Sequence, residues 1–243
     1  ITQRMLASVI TQLVEQVARQ FIAEHHSDAA AATLRRLAER GVWCSLDLLG
    51  EQVLSEAEAD RYVSQCQTLL SQCAAASARL ADSAVVCGPR ANLSVKPSAL
   101  TPRFDPISPQ QSLTQAVRRL EPLLALADEH AALLNLDMEQ FELRDLTLAL
   151  AQRLLVERRH GRAELGVVVQ AYLRDAEAVV EQLVEWLAAH ERTLTIRLVK
   201  GAYWDSEVAL ARQQHWPIPV YEDKAETDRT FERLTRRLLS AYP

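Results

Sequence analysis

Five short apolar runs constrain this chain more than anything else in it: VWCSLD at 42–47, ANLSVK at 91–96, LLNLD at 133–137, GVVVQ at 166–170 and TIRLVK at 195–200. Each is too short for a stable helix, and each is followed by an amphipathic stretch of helical length. Such alternation is the pattern of βα units, whose strands run parallel and lie buried on both faces. The helical stretches read as about 55–80, 108–131, 143–159 and 176–190, with 205–214 and 227–241 after the fifth run. Ser55 and Ser108 are the expected N-caps, the latter with Pro109 at the first helical position. Residues 1–41 read as a helical arm with Leu6, Ile10, Leu13, Val14 and Val17 on one stripe and Gly41 as its stop. That stripe is expected to pack against the chain's own core.

Every run ends in a polar or charged residue: Asp47, Lys96, Asp137, Gln170 and Lys200. In a (β/α) barrel those positions form the C-terminal mouth, where catalytic groups collect; the plainer reading is that a polar residue marks where each strand leaves the core. Five units make five-eighths of an eightfold barrel. The pattern leaves open a smaller open sheet or a barrel whose last three strands lie outside this sequence. Ile1 rather than methionine leads the chain, which reads as a piece of a longer one.

Composition removes several classes. The formal charge of −5 argues against a nucleic-acid footprint, which needs a concentrated positive face. No GxGxxG or GxxxxGK[ST] can be drawn through the six glycines, so any nucleotide is held without a Rossmann or P-loop turn. Cys44, Cys66, Cys73 and Cys87 form no CxxC pair, and the histidines show no ligand or triad spacing, so no metal site is expected. No run is long enough to span a membrane, and the first residues lack a signal-peptide layout, so a soluble cytoplasmic protein is expected.

The segment RLVKGAYWDSEVALARQ, Arg197 to Gln213, is far more specific. It is accompanied in order by SLDLLGE (45–51), NLSVKPSAL (92–100), NLDMEQ (135–140), GVVVQAYLRD (166–175) and PVYEDKAETD (219–228). Together they resemble the flavin-dependent proline dehydrogenase family, in particular the dehydrogenase domain of bacterial bifunctional proline utilisation A proteins. The resemblance implies an α/β fold, a distorted (β/α)₈ TIM-type barrel of which residues 42–243 carry about five units. It implies FAD as cofactor and oxidation of L-proline to 1-pyrroline-5-carboxylate by hydride transfer to the flavin. Membrane quinone would be the acceptor, at the inner membrane surface, and an NAD-dependent semialdehyde dehydrogenase would lie downstream; homo-oligomerisation is left open. The family's last strands, with paired arginines for the substrate carboxylate, fall beyond Pro243, so these 243 residues alone are expected to bind FAD poorly.

By the same resemblance, Lys96 stands at the proline carboxylate and Asp137 holds the basic groups of the site in place. Arg197, Val199 and Lys200 lie beside the flavin, where positive charge stabilises an anionic reduced ring. Gly201 and Ala202 let backbone approach it, Tyr203 and Trp204 form aromatic walls, and Gln170 hydrogen-bonds the ring as both donor and acceptor. Lys224 and Thr227, with Asp228, match the region near the diphosphate and adenosine, although TDRTF also reads as a plain helix start. Asp47 and Glu51 are expected to organise the first strand end, and Tyr172 to pack. Pro97 departs from the aliphatic residue usual there, removing a donor and threatening the presentation of Lys96. Two other functions fit the bare pattern: a Schiff-base lysine lyase or aldolase using Lys96 or Lys200, and a noncatalytic helical interaction module built on residues 1–40.

Overall fold

A computed structural model describes residues 3–18, 44–48, 52–78, 91–158 and 161–241, with a few positions between 33 and 50. Gly41, Glu51, Cys87 and the histidines at 25, 26 and 160 lie outside the described residues. All five runs contribute strands: β1 (Leu46–Asp47), β2 (Asn92–Val95), β3 (Leu133–Leu136), β4 (Glu164–Gln170) and β5 (Thr195–Val199). They pair in parallel and in chain order, β1 to β5. Consecutive βα units laid down side by side give this order, which is how a (β/α) barrel begins. The main helices among the described residues are α1 (Gln3–Ala18), α2 (Glu56–Ala78), α3 (Pro109–His130), α4 (Arg144–Glu157), α5 (Ala176–Ala189), α6 (Trp204–Gln214) and α7 (Lys224–Ala241).

Register assigns the two faces of the sheet. Leu46, Leu93, Leu134 and Leu165 stand in one row, and Val95, Leu136, Val167 and Ile196 in the next. Both rows pack against Leu70 of α2, Leu120 and Leu124 of α3, and Leu150 and Leu154 of α4 in a single core. Full burial of one such leucine stabilises the fold by about 1.5–3 kcal/mol. Because side chains alternate along a strand, the intervening residues Asp47, Ser94, Asn135, Val168 and Arg197 project from the opposite face. Gly166 lies on that face beside Asn135, and a Cβ there would come 2.8 Å from Asn135 Oδ1, so the amide occupies the missing side chain's space.

Two cap expectations have different outcomes. Ser55 Oγ accepts the Glu58 N–H at 3.3 Å, while the Glu58 carboxylate accepts the Leu54 N–H at 2.8 Å, closing the start of α2. Ser108 occupies the N-cap of α3 ahead of Pro109, but its side chain makes no capping bond. The turn before α3 is closed by others: Ser112 Oγ donates to Arg103 O at 2.7 Å, and Asp105 Oδ1 accepts the Ile107 N–H at 2.8 Å.

The stripe on α1 does not cover the core as expected. Met5, Leu6, Val9, Ile10, Leu13, Val14 and Val17 are all more than half exposed. Helices α5 and α7 are joined by two rungs, Arg233 with Glu177 at 2.6 Å and Arg237 with Glu181 at 2.6 Å. Exposed pairs of this kind are screened by salt and contribute little. Glu181→Ala is expected to lower the thermal midpoint by about 1 °C in low salt and by less in molar salt, as a calorimetric series would show.

Candidate active site

The site is the far end of the polar face. Lys96 and Asp137 each follow the last residue of a strand and continue the alternation set by Ser94 and Asn135. They come together with Asp47 and Arg197 in one chain of charges. Lys96 Nζ donates to Asp47 Oδ1 at 2.7 Å and to Asp137 Oδ2 at 3.4 Å. Arg197 Nη2 donates to the other Asp137 oxygen, Oδ1, at 2.5 Å. Asp137 therefore stands between two cations, and Lys96 between two carboxylates.

Two neutral side chains complete this unit, neither of them among the strand-end residues that the sequence marks. Ser94 Oγ accepts from Arg197 Nη1 at 3.0 Å, and Asn135 Nδ2 donates to Asp137 Oδ1 at 3.2 Å. Both are buried. Asn135 lies two residues before Asp137, the strand-end group it supports, and that interval is a signal that finds it; Ser94 holds Arg197, 103 positions away, which no local interval marks.

Burial of Lys96 works to lower its pKa, but the hydrogen bond and charge of Asp47 and the nearby Asp137 overcome this and raise it above the ordinary lysine value. Lys96 is held as an ammonium. A Schiff-base lysine needs the neutral amine, so this environment disfavours the lyase reading for Lys96. Pro97 costs the segment nothing. It sits at the first position of a 3₁₀ turn (Pro97–Ala99), where an N–H has no partner within the turn. Lys96 itself has φ −85° and ψ 117°, the extended range a following proline favours.

Glu139 links this group to Gln170. Its carboxylate accepts the Ser98 N–H at 2.9 Å and the Ser98 hydroxyl at 2.5 Å, and its carbonyl accepts from Gln170 Nε2 at 3.2 Å. Gln170 Oε1 is buried and has no partner among the described residues. Val199 stands in register beside Gln170. Tyr203, the N-cap residue of α6, has its phenol pKa raised by burial and by the charges of Glu139, Asp137 and Asp47, with Lys96 opposing, which places it within reach of the same field. Trp204 donates its indole N–H to Tyr221 O at 2.8 Å and remains partly exposed.

Lys200 belongs to a second cluster. One residue past β5, it pairs with Asp228 Oδ1 at 2.6 Å, while Lys224 takes Asp228 Oδ2 at 2.8 Å. The two lysines hold the Asp228 carboxyl below its ordinary pKa. Helix α7 begins at Lys224, so Thr227 is a buried member of its first turn rather than the start of the helix. Gly201 is glycine for a reason beyond smallness: its φ is +131°, and a Cβ would lie 2.5 Å from the Tyr172 ring. Tyr172 is packed directly over that backbone, while Ala202 is exposed.

Comparison with known proteins gives this geometry a context. Residues 30–243 match the family model described as proline dehydrogenase. The bifunctional protein PutA of Salmonella typhimurium is 33% identical over 223 residues, covering 91% of this chain and 16% of that protein. Proline dehydrogenase 1 of Bacillus subtilis strain 168 is 28% identical over 224 residues, covering 92% of this chain and 62% of its own. The crystal structure of proline utilization A from Bdellovibrio bacteriovorus, inactivated by N-propargylglycine, superposes with a TM-score of 0.90 at 33% identity, covering 98% of this chain and 25% of that one. The chain thus spans about a sixth of the Salmonella protein.

Proposed function

The chain belongs to the proline dehydrogenase family, and from that premise we propose that it carries the substrate-carboxylate and flavin-binding face of a site that oxidises L-proline to 1-pyrroline-5-carboxylate. The observation that carries this reading is the Asp47–Lys96–Asp137–Arg197 chain at the strand ends.

The residues present suit a flavin. Gln170 offers a buried, unpartnered amide oxygen, Arg197 keeps a half-exposed guanidinium on the same face, and Val199 adds an apolar neighbour. Lys200, Lys224 and Thr227 are the proposed residues for its phosphate and nucleotide end, with Gly201, Ala202, Tyr203 and Trp204 between the two regions. FAD, when bound, supplies the hydride acceptor. The chain's own work is positioning. Lys96 presents a compact positive charge to the substrate carboxylate, and Asp47 and Asp137 keep that charge on and aim it. Asp137 at the same time fixes Arg197, which Ser94 holds from the other side. Tyr203 is proposed as a wall of the substrate space. A membrane quinone as the final acceptor, a downstream NAD-dependent dehydrogenase and an inner-membrane location follow the same family reading. Among the described residues no helix is long and apolar enough to cross a membrane.

Comparing proline with pyrrolidine, which has the ring but no carboxylate, tests the role of Lys96 in the flavin-loaded protein. Lys96→Met is expected to lower kcat/KM for proline about 30-fold, the value of a hydrogen bond to a charged group, and to leave pyrrolidine turnover unchanged. Equal losses with both amines would remove Lys96 from the carboxylate.

A further inference from the structure

Lys96 is anchored through its backbone as well as its ammonium. Strand β1 ends at Asp47, in register with Ser94, so no paired residue of β1 stands level with Lys96. The Lys96 N–H turns instead to α2 and donates to Tyr62 Oη at 2.9 Å. Tyr62 is 5% exposed, and its ring lies against Gly50, where a Cβ would sit 3.4 Å from the ring. On the other side of Lys96, the turn begun by Pro97 closes with the Ala99 N–H on Lys96 O at 3.0 Å. Both main-chain groups of Lys96 are therefore tied, and the N–H depends on one phenol.

We propose that Tyr62 is a positioning residue for Lys96: by accepting the Lys96 N–H, its hydroxyl fixes the main chain from which the ammonium reaches between Asp47 and Asp137. The proposal rests on the assignment of Lys96 to the substrate carboxylate. Burial, with the neighbouring Cys66 and Asp47, drives the phenol's pKa far above its ordinary value, so Oη remains a neutral hydroxyl able to accept this bond throughout the working pH range. Cys66, one helical turn further along α2, is itself fully buried, so the phenol sits in an apolar, water-excluded part of the helix packing.

Tyr62→Phe is the direct test, because it keeps the ring against Gly50 and removes only the acceptor. A buried N–H left without a partner shifts its segment toward another acceptor, and the Lys96 ammonium moves with it. In the flavin-loaded protein the variant is expected to raise KM for L-proline about tenfold while kcat stays within about twofold, and to leave pyrrolidine turnover unchanged. A variant with an unchanged KM, or with equal losses for proline and pyrrolidine, would overturn the proposal, even if its thermal midpoint fell. Amide hydrogen exchange supplies a readout independent of turnover, read on the peptide spanning residues 94–98, in which Pro97 contributes no amide. Slow exchange at Lys96 in the parent protein and fast exchange in the variant are expected; an open Lys96 amide in the parent, or no change in the variant, would overturn the role of Tyr62. Failure of the parent protein to oxidise proline would instead overturn the assignment of the site, and the exchange result would still decide whether Tyr62 anchors Lys96.

Discussion

Replacing Asp137 by alanine is expected to lower kcat/KM for L-proline about a hundredfold and to cost about 1–3 kcal/mol of folding stability. The two cations it serves are affected differently. Lys96 retains Asp47 at 2.7 Å and is drawn toward it, away from the position it shares with Asp137. Arg197 loses its carboxylate partner and keeps only the neutral Ser94 hydroxyl. Breaking a buried pair from one side costs about 3–5 kcal/mol, and the Arg197 side chain is 44% exposed, so water recovers part of that cost. Asp137→Asn separates shape from charge: it can retain a contact with Asn135 but cannot hold both cations, and should recover stability more than activity. Steady-state kinetics paired with denaturant unfolding of the two variants checks this. Equal activity of the parent and Asp137→Ala would show that the charge chain is a structural feature of the strand ends.

Gly201→Ala is expected to destabilise the protein by about 2–4 kcal/mol. Two independent faults combine at this position. A φ of +131° lies where side chains are rarely tolerated, and the new Cβ would stand 2.5 Å from three atoms of the Tyr172 ring. Tyr172 cannot give way easily, because it is buried with Val169, Leu173 and Val208 in an apolar cluster separate from the one between the sheet and helices α2 to α4. Removing the ring as well, in the double variant with Tyr172→Ala, relieves the clash but not the backbone strain. The double variant should therefore be more stable than the sum of the two single losses predicts, by about 1–2 kcal/mol. Strict additivity in urea unfolding would show that the ring and the glycine do not share that space.

The strand ends were legible because βα alternation needs only local pattern: Asp47, Lys96, Asp137 and Gln170 all fall at or just past the ends of paired strands. Asn135 was legible in principle from the two-residue period, since it shares a face with the Asp137 it supports, whereas Ser94 serves Arg197, 103 positions on, and its role is set by the pairing of distant strands. The pairing of Lys200 with Asp228 of α7 had no local signal either, because a residue just past a strand end is free to turn toward the following helices. Tyr62 could not be read from sequence: its contact spans 34 positions and exists only once α2 packs across the end of β2. The α1 stripe shows a related limit. Periodicity identified its apolar face, but not what that face meets, and its residues stand exposed. Ser108 holds the N-cap position that the pattern marks, but its hydroxyl makes no capping bond, and Ser112 and Asp105 close the turn ahead of it.

The central claim is that the polar face of this sheet, with Gln170 and the Lys96–Asp137–Arg197 unit at its end, serves a flavin that accepts a hydride from proline. The most direct measurement is the visible absorption spectrum of the longest obtainable protein that contains this chain, reconstituted with FAD and recorded before and after anaerobic addition of L-proline. A flavin band that bleaches with L-proline, and about 30-fold more slowly in Lys96→Met at the same low proline concentration, is the predicted result. A bound flavin that remains oxidised at saturating proline would contradict it.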